Sequence, residues 1–135
     1  MEQLDHLHDD ASNSIGALLA HIAAVERWYG YMTFENRAPS EADLAPWKPA
    51  LELGAEGRRV LCGKPLDHYV DSLEEVRRRT LEGLATRDDA WLDQSLVAVP
   101  AMNAHWAWFH VAEDEINHRG QMRWLRARLA TADTP

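Results

Sequence analysis

With 135 residues, 46% of them hydrophobic and 27% charged, the chain has the length and composition of one soluble globular domain spanning 1–135, and it is neither disordered nor fibrous. Its 14 basic and 22 acidic residues give a formal charge of -8, which argues against nucleic acid or an anionic membrane surface as a partner. No apolar run reaches the roughly 20 residues of a membrane span, and a single cysteine with no leader-like start points to a reducing cytoplasm.

The polar stretch Met1 to Asp10 shows no periodicity and reads as a lead-in, with His6 and His8 two apart and therefore on different sides of any helix. A first long helix is expected from the cap-forming residues Asp10 to Ser14 to about Glu35. Its apolar stripe is Ile15, Leu18, Leu19, Ile22, Val25, Trp28 and Tyr29. His21 stands at the edge of that stripe, where a lone histidine is ordinarily a satisfied boundary residue. Glu26 reads as a surface carboxylate, with an outer-shell partner to an imidazole as the alternative. From Asn36 to Pro65 prolines and glycines recur too often for a long helix, so a loop with short helical turns is expected, with a weak strand at Arg58 to Cys62 and enough apolar residues to cover the bundle. Cys62 itself reads as an incidental small apolar residue.

A second long helix follows from Pro65, with Leu66, Tyr69, Val70, Leu73, Val76, Thr80, Leu81 and Leu84 at helical spacing, and with Glu74, Glu75 and Arg77 to Arg79 on a solvated face. Nothing catalytic stands on its apolar side, and His68 falls off the stripe. A short turn at Asp88 to Leu92 and a connection from Gln94 to Met102 lead to the final helix, which Pro100 and Asn103 announce. One face of that helix carries Ala107, Val111, Asp114, His118, Met122, Leu125 and Leu129, so a carboxylate and an imidazole interrupt an apolar stripe. Asp114 and His118 are four apart, the spacing at which two side chains grip one ion, and a third ligand has to come from elsewhere. His110, four residues before Asp114, is a rival ligand, but it lies about 12 Å along the axis from His118 and the two cannot serve one ion. The alternative is a buried hydrogen-bonded pair, Asp114 with His118 or with an arginine, that binds nothing. Glu113 and Glu115 read as solvated or paired with Arg119, and Trp106, Trp108, Phe109 and Trp124 as core and interface packing, with tryptophans walling a small apolar pocket beside Asp114 as the alternative. Three long helices, without an alternating strand pattern or a phosphate loop, predict an all-α up-and-down helical bundle.

The stretches from Asn13 to Trp28, with Leu-Leu-Ala-His at 18 to 21, and from Trp108 to Gln121, ending His-Arg-Gly-Gln at 118 to 121, resemble the DinB-like superfamily of metal-binding four-helix bundles. The resemblance runs from about Leu4 to Leu129. It implies one histidine ligand from the first long helix and two ligands four apart on the last, which selects His21, Asp114 and His118. Asp114 replaces the histidine usual at that position. A two-histidine, one-carboxylate set keeps an open site and shifts preference toward Mn(II) or Fe(II), with zinc and nickel still suited. Only about a dozen residues precede the helix of His21, so the usual first helix is short or missing. Either the segment 36 to 65 fills its place or a second subunit does, and a homodimer is expected. The resemblance implies a metal-dependent enzyme that activates a low-molecular-weight thiol or water against a small-molecule substrate, an S-transferase or hydrolase. The alternative is a non-catalytic metal-binding or stress-associated interaction protein.

Overall fold

The computed structural model describes residues 2–132; Met1, where the expected lead-in starts, lies outside them. The elements are α1 (Glu2–Asp5), α2 (Ile15–Thr33), α3 (Glu41–Leu44), α4 (Lys48–Glu52), α5 (Gly54–Val60), α6 (Leu66–Leu84), α7 (Asp89–Leu92) and α8 (Ala104–Ala132). Among the described residues there is no strand, and the only β-type pairing is a bridge between Ser95 and Asn103. The molecule is an all-α bundle built on α2, α6 and α8, with short helices in the connections.

Helix α2 is the centre. Ser14 caps it by accepting from the Ala17 amide at 3.2 Å. At the other end Asn36, with φ 48°, turns the chain out in the left-handed conformation. Leu18, Ile22, Val25, Tyr29 and Met32 are buried, and so are Ala23, Ala24 and Glu26 on other sides of the helix, because α1, α4, α6 and α8 all lie against it. Helix α6 runs alongside α2 in the same direction. Tyr69 meets Gly16 near the start of both helices, Arg77 meets Glu26 midway, and Phe34 meets Gly83 near the end. These approaches are close: a Cβ at Gly16 would stand 2.7 Å from the Tyr69 hydroxyl, and one at Gly83 would stand 2.7 Å from the Phe34 ring. Helix α8 runs the opposite way, placing Ala104, Ala107 and Val111 against Met32, Tyr29 and Val25 in the core.

The parallel pairing of α2 and α6 explains the long segment between them. A 19-residue helix carries the chain about 28 Å, and the connection has to bring it back. It does so through α3, α4 and α5. Ser40 and Asp43 form a reciprocal capping box at the head of α3, and α4 docks on α2. The expected strand at Arg58 to Cys62 is instead the end of α5, which closes with the Leu61 amide donating to Gly57 at 2.9 Å. The turns that punctuate this segment end each helix without extending the backbone. The lead-in is also better ordered than its sequence suggests: α1 makes one turn and rests on α2. Before α8, the Leu96 amide donates to the Met102 carbonyl at 2.9 Å, and the Asn103 side chain caps the helix by accepting from the Trp106 amide at 2.8 Å. Those contacts set the register of α8.

Candidate metal centre

Because α2 and α8 are antiparallel, the middle of one faces the middle of the other. There His21, Asp114 and His118 converge, each offering one ligand atom, with all three atoms within 4.8 Å of one another. Nε2 of His118 stands 3.2 Å from Oδ1 of Asp114, and Nε2 of His21 stands 3.9 Å from the same oxygen. The two imidazoles meet edge to face at 4.9 Å between ring centroids. Both histidine side chains are 14% exposed and Asp114 is 17% exposed, so the group is sheltered and still reachable from outside.

The outer contacts fix what each ring presents. His21 Nδ1 lies 2.7 Å from the carbonyl oxygen of Ala50 in α4. A carbonyl only accepts, so the proton of the neutral ring sits on Nδ1 and Nε2 turns its lone pair inward. His118 Nδ1 lies 3.2 Å from Oε1 of Gln121, which has the same effect. Two imidazoles held through Nδ1, with both Nε2 atoms aimed at one carboxylate, make the arrangement that orients histidines on an ion. Ligands about 2.1 Å from a tetrahedral ion stand about 3.4 Å apart, and the spacings here bracket that separation. The donor set therefore fits a divalent cation. It also fits an ion pair between Asp114 and a protonated His118.

The rival candidate, His110, lies outside this cluster. His110 is stacked on Trp106 at 5.0 Å, meets Tyr29 edge to face at 5.8 Å, and approaches Glu113 at 3.5 Å. Burial, and secondarily the charge of Asp114, push the Tyr29 phenol above its ordinary pKa, so Tyr29 remains a neutral wall beside the carboxylate.

Other sequence expectations are corrected. Glu26 is neither a surface group nor an orienter of an imidazole. It is 1% exposed and takes both Nε and Nη2 of Arg77, at 2.9 and 3.1 Å, while Arg77 Nη2 also reaches Glu115 at 2.6 Å. Arg77 thus leaves the solvated face assigned to it and ties α6 to α2 and α8, and Glu115 is paired with Arg77, where solvent or Arg119 was expected. Its neighbours Arg78 and Arg79 do pair along α6 with Glu75 and Glu82. Trp106, Phe109 and Trp124 are not core but exposed, as is Cys62, whereas Trp108 packs on the core. His68 is exposed, as expected. Sequence reading missed the two groups that anchor the imidazoles. Gln121 carried a usable signal, three residues after His118 and so beside its ring. The Ala50 carbonyl carried none, being backbone.

The family model of the mycothiol S-transferases matches residues 2–131. The chain belongs to this family. The family lies within the DinB-like superfamily, in agreement with the resemblance carried by the two histidine-bearing stretches. The match runs from the start of α1 into the last turn of α8. No curated protein matches the chain.

Proposed function

We propose that His21, Asp114 and His118 hold a divalent ion, zinc, nickel, manganese or iron, and that the chain is a metal-dependent transferase joining a low-molecular-weight thiol to a small electrophile. The family points to mycothiol as that thiol. The observation that carries the reading is the convergence of three ligand atoms within 4.8 Å, with both imidazoles anchored through their other nitrogen.

An ion with an open coordination position lowers the pKa of a thiol or water, supplying a nucleophile at neutral pH. The residues do the rest. Ala50 and Gln121 keep each Nε2 unprotonated and aimed, Asp114 contributes negative charge between them, and Tyr29 and the side chains of the α2–α8 interface limit water. In the transfer, a sulfur–carbon bond forms, the bond from that carbon to its leaving group breaks, and the thiol proton leaves with the departing group. No side-chain nucleophile is needed, which suits a chain whose one cysteine is outside the cluster. With water in place of the thiol, the same arrangement describes a hydrolase.

A second reading rests on the 3.2 Å approach of His118 to Asp114: the pair can serve as a structural link in a non-catalytic, stress-associated protein. Elemental mass spectrometry on protein purified without a metal-affinity tag decides between them. Near-stoichiometric metal in the wild type, lost in both His21→Ala and His118→Ala, is expected, followed by metal-dependent consumption of mycothiol with an electrophile. Failure of zinc, nickel, manganese and iron to load would leave only the structural link.

We also read the molecule as a homodimer. Leu81 is 59% exposed on α6, and Phe109 and Ile116 are 62% and 67% exposed on α8, which is apolar surface of the kind a second subunit covers.

A further inference from the structure

A cavity of about 590 Å³ opens between the start of α2 and the C-terminal half of α8, within the size range of small-molecule sites. Leu18, Trp124 and Leu125 form its apolar wall, and Asn13, Asn117 and Gln121 supply neutral polar groups. Among the described residues no charged side chain lines it, although 27% of the chain is charged. Amide side chains, which both donate and accept, suit a neutral polar group.

Two further observations point to an occupant. Gly120 lines the cavity in the interior of α8, and a Cβ built on it would meet nothing within 4 Å. Glycine inside a helix costs about 1 kcal/mol relative to alanine. At Gly16 and Gly83 a close aromatic ring explains the missing side chain; at Gly120, on the exposed side of α8, no neighbour among the described residues does, and what its absence leaves is the open cavity. Trp124 is held in place, with the Arg128 guanidinium 3.4 Å from its ring centroid and the His8 ring edge-on at 4.7 Å, so it offers a fixed aromatic wall. Gln121 belongs both to the cavity and to the anchoring of His118, which places the cavity one side chain from the three-residue cluster.

We propose that this cavity is a binding site for an uncharged small molecule bearing a flat ring and an amide-like polar group, and that Gly120 keeps it open. On the transferase reading it would receive the uncharged body of one reactant, but occupancy itself requires no metal. The test is a titration of the metal-free full chain with 2-naphthamide, and in parallel with its charged isostere 2-naphthoate, followed by two-dimensional NMR. The amide is expected to shift the Trp124 indole N–H and the Asn13 and Asn117 side-chain amides saturably, with intermolecular NOEs from the naphthyl protons to Trp124 and Leu125. Naphthoate should leave these signals in place. Gly120→Leu, which fills the cavity at a position free of clashes, should keep its thermal midpoint and lose the response. The proposal is overturned if no saturable shift occurs, if the NOEs lie elsewhere, if naphthoate binds equally well, or if Gly120→Leu responds as the wild type does. Because the wild-type NOEs locate the ring directly, a poorly folded variant does not remove the test. Failure of the protein to hold metal would leave this result unaffected.

Discussion

His118 and Asp114 show how far a four-residue spacing carries. The apolar stripe on α8 was legible because Ala107, Val111 and Leu125 are buried as their spacing predicts, and the two polar interruptions stood out against it. The contribution of His21 was not legible from its own helix; it took the resemblance, and then the antiparallel contact of α2 with α8, to bring it within 3.9 Å of Asp114. Changing Asp114 tests the donor set more sharply than removing it. Asp114→His, restoring three imidazoles, should retain metal and move preference toward zinc or nickel, whereas Asp114→Ala should reduce affinity sharply; competition with a chromophoric chelator reads both. Tyr69 offers a separate test by pH. Its hydroxyl donates to the Leu61 carbonyl, and burial, followed by the charges of Asp5 and Cys62, pushes its pKa up to about 12. An exposed tyrosine ionises near pH 10. The folded state therefore holds this proton longer than the unfolded chain, and the associated stability is complete below pH 10 and lost as pH rises toward 12. Urea unfolding at pH 9 and 11.5 should show a larger alkaline loss in the wild type than in Tyr69→Phe.

At the level of elements, the three long helices and both of their side-chain caps, Ser14 and Asn103, were readable from pattern. The segment between α2 and α6 was readable only as a loop with short helical turns, because the docking of α4 on α2 depends on contacts distant in sequence. The apolar stripe of α6 was read too broadly: Tyr69, Val76 and Thr80 are buried, while Leu66 and Leu81 are half exposed or more, since α6 packs chiefly on α2. The Glu26–Arg77–Glu115 link was hidden for a different reason. Nothing local marks a glutamate on α2 as the buried partner of an arginine 51 residues away. Removing the arginine should leave the Glu26 charge buried and unpaired. Arg77→Met is expected to destabilise by about 2–3 kcal/mol, less than the loss of a fully enclosed pair because Arg77 is 45% exposed. Adding Glu26→Leu to that variant should recover much of the loss in urea unfolding, and a double mutant no more stable than Arg77→Met would refute the assignment.

For the molecule as a whole, the scarcity of contact between α6 and α8 is the main departure from a closed four-helix bundle. Both rest on α2, and their outer faces keep Leu81, Phe109 and Ile116 in solvent. The proposed dimer would cover this surface. Light scattering at micromolar concentration should give twice the monomer mass of 15.4 kDa, and Ile116→Glu together with Leu81→Glu should return the monomer with its helices intact. A wild-type monomer under those conditions would count against the dimer.

The hydrogen bond from His21 to Ala50 makes the connecting segment thermodynamically part of the proposed centre. Binding free energies are reciprocal, so whatever an ion gains from a well-held α4, α4 gains from the ion. Amide exchange in the segment 48–60 should slow when metal binds. An antibody fragment that grips that segment in its folded form should tighten metal binding by the same factor by which metal tightens the antibody, although the fragment touches none of the three ligands. The part of the sequence least readable as structure would then set how firmly the ion is kept.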